Sequence, residues 1–191
     1  MSKYEHAARR AGGIVALALG LAAAGCAGSS SQITLTSYKD AYFPETYELT
    51  LADCAYYRDP GGDYHIAGRA TRTGDGDGGD VTQLLGIHVF WNPLPGKTFD
   101  NATSMDATIS YVIVTEGGVA VYTGTGYVFP RRRMGDELVA KVDVGRLRLV
   151  TQTGEAPDLL GPARLRGTLH AEHDASMAVD IRRQIGIYAG P

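Results

Sequence analysis

The sequence predicts an all-β domain, an antiparallel β-sandwich or small β-barrel of about eight to nine strands. Two observations carry this. From residue 33 onward the apolar residues recur with period two rather than 3.6. Glycine, proline and aspartate clusters interrupt the pattern every 8 to 15 residues or so. A third observation excludes the main rival. No helix of the length a βα crossover needs alternates with these strands, so a parallel nucleotide-binding sheet is not expected. At 191 residues, 44% hydrophobic and 20% charged, the chain suits one folded domain and is too apolar for a disordered one.

Each strand has its own justification. Ile33-Thr34-Leu35-Thr36 opens the pattern. Residues 46–57 follow, with Tyr47, Leu49 and Leu51 on one face and Glu48, Thr50 and Ala52 on the other. Asp59-Pro60-Gly61-Gly62-Asp63 supplies a turn. Residues 64–71 return as a hairpin partner, placing Tyr64, Ile66, Gly68 and Ala70 opposite in parity to His65, Ala67, Arg69 and Thr71. Residues 84–91 are the most apolar strand, stopped by Asn92-Pro93-Leu94-Pro95-Gly96. A loop or single helical turn is expected over 98–106.

Ile109, Tyr111 and Ile113 then alternate up to Gly117-Gly118, a two-residue connection suited to a tight hairpin turn, and residues 119–129 run back. Leu138, Ala140, Val142 and Val144 share one parity, whereas Leu147 and Leu149 have the other. A bulge at Gly145 would return both sets to the same face. A loop over 154–162 precedes residues 164–171. His173-Asp174-Ala175-Ser176 reads as a turn, and Met177, Val179 and Ile181 as the start of a last strand toward Tyr188. The expected core is Leu49, Leu51, Leu85, Ile87, Val89, Ile109, Tyr111, Ile113, Leu147, Leu149, Leu165 and Leu169.

The first 30 residues read differently. Lys3, Arg9 and Arg10 precede an uncharged run from Gly12 to Gly25. A basic segment followed by an apolar one and small residues is a secretory signal peptide. Ala11-Gly12-Gly13 after Arg9-Arg10 lacks the bulky residues of the twin-arginine route, which favours general secretion. The segment ends Leu21-Ala22-Ala23-Ala24-Gly25-Cys26. This resembles the lipobox of bacterial lipoproteins, with Ala24-Gly25 as the small pair before the cysteine and Ala23 standing where the family usually has Leu. The Ala22-Ala23-Ala24 triplet also fits ordinary signal-peptidase cleavage.

The resemblance implies that residues 1–25 are removed and that Cys26 is acylated and becomes the new N-terminus. The mature chain would then keep 166 of the 191 residues. Losing Lys3, Glu5, Arg9 and Arg10 would take its formal charge from -3 to -5. Residues 26–32 read as a flexible tether and 33–191 as the single β domain. Ala27, rather than an aspartate, implies delivery to the outer membrane, facing the periplasm, in a cell that has one.

Other residues are candidate sites. Asp75, Asp77 and Asp80 lie in a Gly-rich stretch and suit a hard cation, but their spacing does not fit an EF-hand. A solvated loop without a functional metal is expected. His170, Glu172, His173 and Asp174 lack the i, i+4 helical spacing of a zinc protease, and His65 and His88 would add to them only through the tertiary fold. Cys54, beside Ala52 and Tyr56, reads as a packed thiol rather than a nucleophile. Arg131-Arg132-Arg133 next to Tyr127 and Phe129 reads as a charged hairpin tip, with anionic lipid or polysaccharide as the functional alternative.

No nucleophile elbow, Walker motif or dinucleotide fingerprint occurs, and the acidic balance argues against nucleic acid. The sequence therefore predicts a non-catalytic domain without cofactor. It would be held to the bilayer through Cys26 and would act structurally or bind an envelope protein or polysaccharide. A small apolar ligand inside the barrel is the alternative, and a metal-dependent hydrolase the third reading.

Overall fold

The computed structural model describes residues 30–72, 79–90, 106–154 and 158–190. Among these residues nine strands and one helix follow in order: β1 Ser31–Ser37, β2 Glu45–Leu51, β3 Asp53–Arg58, β4 Tyr64–Arg72, β5 Val81–Val89, β6 Ala107–Thr115, β7 Gly118–Arg132, β8 Glu137–Gly154, β9 Ala163–His173 and α1 Ala175–Ala189. They form one sheet in the order β2-β1-β9-β3-β4-β5-β6-β7-β8, and a further β8–β9 pairing closes it on itself. The all-β, barrel-like class expected from period two is what forms.

β9 is the seam. One side pairs with β8 from Glu137↔Glu172 to Leu147↔Ala163. The other side is shared. Its first half pairs antiparallel with β1, and its end pairs parallel with β3 through Ala55↔Glu172 and Tyr56↔His173. All other ladders are antiparallel. The ring is thus β3 to β9, and the β1–β2 hairpin extends from it as a flange.

The inward parity is the predicted one. Leu85, Ile87, Val89, Ile109, Tyr111, Ile113, Leu147, Leu165 and Leu169 are buried, as is Leu51, while Leu49 and Leu149 pack against the core from half-buried positions. The predicted bulge is present. β8 slips its register between Val142 and Gly145 against β9, and skips Asp143 against β7. That extra residue brings Leu147 back inside beside Val142. The approach at the bulge is close, since a Cβ on Gly145 would lie 2.7 Å from Ile109 Cδ1 and would displace that side chain.

The barrel interior is filled by side chains. Tyr56, Tyr111 and Tyr122 are among the largest, with Ile66, Leu85, Ile87, Leu138 and Leu165. Two of the tyrosine hydroxyls are satisfied inside. Tyr111 donates to Gln83. Tyr122 donates to Asp158 Oδ1 at 2.8 Å and accepts from Leu159 N at 3.1 Å. Burial raises both phenols, Tyr122 to about 12, with the Asp158 carboxylate adding to its rise. No buried side-chain nitrogen or oxygen among the described residues lacks a partner.

Two expectations are corrected. Residues 46–57 are two strands, because the chain breaks at Ala52, whose N–H donates to Arg69 O at 2.9 Å. The last strand is a helix. Asp174 caps it by accepting from Met177 N at 3.0 Å, and Ala178, Ile181 and Ile185 are its buried stripe. Met177, Val179 and Ile181 match period two only by coincidence: Val179 is 50% exposed. The helix lies on the outside of the ring, where Ala55, Ala67, Leu84, Val112 and Val121 form a second apolar layer beneath it. Gly86 lets it sit close, since a Cβ there would lie 3.0 Å from Ile185 Cδ1.

Candidate functional site

The β3–β4 turn is built by its own aspartate. Asp59 O accepts from Gly62 N at 3.0 Å, and Asp59 Oδ1 from Asp63 N at 3.0 Å. This turn holds two carboxylates, Asp59 and Asp63, above the outer face of the sheet. Cross-strand pairing then lines up Tyr57, His65 and His88 through Tyr57↔His65 and His65↔His88. Rings one ladder step apart stack. Tyr57 and His65 lie 4.6 Å apart at 15°, and His65 and His88 lie 4.3 Å apart at 18°. Phe90 closes the row, 4.2 Å from His88.

Each imidazole meets one carboxylate. His65 Nε2 is 3.1 Å from Asp59 Oδ2, and His88 Nε2 is 3.0 Å from Asp63 Oδ2. The helix adds Arg182, whose Nη1 is 2.7 Å from His65 Nδ1. A guanidinium only donates, so Nδ1 must be the bare, accepting nitrogen and Nε2 must carry the proton given to Asp59. His65 is therefore held neutral. Burial depresses its basicity, and the positive charge of Arg182 and the neighbouring His88 depress it further, against the pull of Asp59. The bond from His65 in turn holds Asp59 below the ordinary carboxylate range.

Asp59, His65 and His88 are the only group among the described residues that brings three possible metal-ligating atoms within 4.8 Å. The chemistry of the set does not fit a metal. In the tautomer that Arg182 imposes, Nε2 of His65 has no lone pair to offer. Near-parallel stacked rings also aim their in-plane lone pairs alongside one another rather than at one point. The arrangement is a latch between helix and sheet. Its signal was present in the sequence, because His65 and His88 share the outward parity of two strands that proved to be adjacent.

The other residues named from the sequence fall elsewhere. His170 Nδ1 lies 2.8 Å from Glu137 Oε1 across the β8–β9 ladder. The pair lines an open groove of about 560 Å³ with Asp136, Glu172 and His173. His173 lies against Tyr56, 5.3 Å between ring centroids, and does not join His170 in a ligand cluster. Cys54 is a free thiol facing the core, pushed up to about 11 by burial, which removes its nucleophilic form at neutral pH. Arg131, Arg132 and Arg133 are exposed at the β7–β8 tip, with Arg132 paired to Asp136 at 2.9 Å. Asp80 is exposed just before β5, whereas Asp75, Asp77 and Cys26 lie outside the described residues.

Sequence reasoning missed the β1–β2 tip. Asp40 Oδ1 accepts from Tyr42 N at 2.8 Å and Phe43 N at 3.3 Å, so the tip is a structured turn. It presents Tyr42 and Phe43 at 90% and 75% exposure, with Tyr38, Tyr47 and Leu159 also exposed. No family model matches the chain, and neither does any curated protein or solved structure.

Proposed function

We propose that the protein is a lipid-anchored envelope domain, held by acylated Cys26, whose barrel is non-catalytic and binds a partner protein on its outer surface. In a cell with two membranes it would face the periplasm from the outer one. The observation that carries this reading is the aromatic tip. Large apolar side chains on a protein surface are ordinary when scattered, but a cluster held out by a structured turn marks an interaction site.

Its position supports the same reading. The tether joins β1 at Ser31, and β1 runs seven residues before the tip, about 23 Å at 3.3 Å per residue. Ser31, where the chain enters β1, and the tip are thus at opposite ends of the strand, so a tether entering at Ser31 would leave the tip free for a partner. Two or three acyl chains on Cys26 would hold the domain stably, each buried methylene adding about 0.8 kcal/mol. The tyrosines and aliphatic side chains filling the ring speak against an apolar ligand inside it. The absence of His170 and His173 from any three-ligand group among the described residues, and the blocked Nε2 of His65, speak against hydrolysis at a metal.

The test has two arms. Cys26→Ser should move the protein from the membrane fraction to a soluble or unprocessed form, and the same chain still acylated and sedimenting with membranes would refute the anchor. Tyr42→Ser combined with Phe43→Ser should leave the protein membrane-bound and folded but remove the proteins that co-purify with it. An unchanged set of co-purifying proteins would refute the tip.

A further inference from the structure

We propose that the free edge of β2 receives an extended basic segment of a partner protein, which adds to the sheet as a further strand. The proposal rests on the partner-binding reading above and names the chemistry of the partner.

The backbone supplies the first argument. β2 pairs with β1 along its whole length, from Ser31↔Leu51 to Ser37↔Glu45. Among the described residues no strand pairs with its other side. Only its end is fixed to the ring there. Leu51 packs over Gly68, where a Cβ would lie 2.6 Å from Leu51 Cδ1, and the next residue, Ala52, donates to Arg69. Along residues 45–50 the side of β2 turned away from β1 is therefore a row of backbone donors and acceptors with no strand opposite among the described residues.

The side chains say what would pair with it. Tyr47 and Leu49 stand opposite Leu35 and Ile33, so they continue the inner apolar face. Burial along that face is unfinished: Ile33 and Leu35 are buried, Leu49 is half-buried and Tyr47 is 43% exposed. An added strand with apolar residues on this side would complete it. On the outer face Thr46, Glu48 and Thr50 are exposed, and Glu48 forms no ion pair among the described residues. Glu45 sits at the start of the same edge, bonded to the Tyr47 hydroxyl. A segment with lysine or arginine on one face and aliphatic residues on the other matches both.

The same charges disfavour a second copy of this chain. Antiparallel pairing of β2 with β2 about its centre would set Glu48 of one copy opposite Glu48 of the other, and like charges directly opposite destabilise a ladder. Carboxylates on an edge are a common way of preventing such self-pairing.

The experiment uses the full chain in maltoside micelles and a capped seven-residue peptide of alternating Lys and Val. Hydrogen exchange should slow within residues 45–50 when the peptide is added. Glu48→Lys should weaken the peptide about tenfold and improve binding of the matching Glu/Val peptide. Protection elsewhere in the chain, or an affinity unchanged by Glu48→Lys, would overturn the proposal. So would protection of β2 that grows with protein concentration alone, since that identifies a second copy as the occupant. The earlier reading fails separately. If the peptide does not bind but the Tyr42 and Phe43 double variant still loses its membrane partner, the edge proposal falls and the tip stands. If the peptide protects β2 while the double variant keeps its partner, the tip falls and the edge stands.

Discussion

The wall beneath α1 and the β1–β2 flange are made from the same kind of strand, yet one is covered and the other is not. On the wall, outward positions of β3 to β7 carry Ala55, Ala67, Leu84, Val112 and Val121, and the helix buries them. On the flange, the outward positions of β2 are Thr46, Glu48 and Thr50, and nothing among the described residues covers them. The difference lies in residue choice on one parity. Small apolar residues facing out require a lid from the same chain, whereas polar residues beside an open edge leave the ladder available to another chain. The latch of His65 and Arg182 belongs to the first region and the aromatic tip to the second.

The largest contrast should come from truncation. Leu165 lies on β9, which holds both sides of the ring together, and is fully buried. Leu165→Ala should cost about 2–5 kcal/mol. Tyr47→Ala on the flange should change stability by no more than about 0.5 kcal/mol. Denaturant unfolding of both variants measures this. Equal losses would mean that the flange is part of the core, and the comparison would fail.

The latch gives the next effect, and it depends on pH. Arg182→Ala removes the donor to His65 Nδ1 and should destabilise the protein by about 1–2 kcal/mol at pH 7.5. In the wild type the folded state binds a proton at His65 more weakly than the unfolded chain does. The stability this site contributes is therefore fully present above the ordinary histidine value near 6.5. It is lost as pH falls below that value, where the unfolded chain takes up the proton first. Asp59, whose affinity for a proton is also lowered, contributes a further loss only at the lower pH where carboxylates titrate. Removing Arg182 lifts one of the charges that depress His65, so the variant should lose less between pH 7.5 and pH 5.5 than the wild type. A wild-type stability that is flat across that interval would refute the latch.

Zinc tests the same point. Wild-type protein should show no rise in Tm with zinc, because His65 offers no lone pair at Nε2 while Arg182 is in place. Arg182→Ala frees the other tautomer but leaves the His65 and His88 rings stacked with their lone pairs side by side, so zinc should leave its Tm unchanged as well. A zinc-dependent rise in the wild type would show that the tautomer assignment is wrong.

Much of this architecture could be read from the sequence, for reasons that differ by element. β5 and β6 keep an unbroken apolar parity where they meet the filled interior, so Leu85, Ile87, Val89, Ile109, Tyr111 and Ile113 declare their own direction although Leu84 and Val112 on the other parity are buried under α1. The bulge was legible because a change of parity at Gly145 has only one cheap solution. The helix was not, because Met177, Val179 and Ile181 satisfy period two while Ala178, Ile181 and Ile185 satisfy the helical period. The capping aspartate and the outward apolar residues of the wall decide between them, and the second of these is a tertiary fact. The His65–His88 pair needed strand adjacency, which parity alone does not supply. The tip was passed over because its aromatics lie in a turn, where periodicity carries no information.

The smallest effect on stability is expected where the functional effect is expected to be largest. Tyr42→Ser with Phe43→Ser replaces two side chains that are almost wholly exposed, so folding gains little from their burial. The turn itself depends on Asp40 and the backbone N–H groups of residues 42 and 43, which the substitutions keep. The double variant should therefore unfold within about 0.5 kcal/mol of the wild type. It should also become more soluble, since it loses exposed apolar surface. A loss of 2 kcal/mol or more, outside what about 0.5 kcal/mol allows for a surface change, would mean that the aromatics are buried against part of this chain. The tip would then be a covered region like the wall beneath α1, and the contrast between the two regions would be gone.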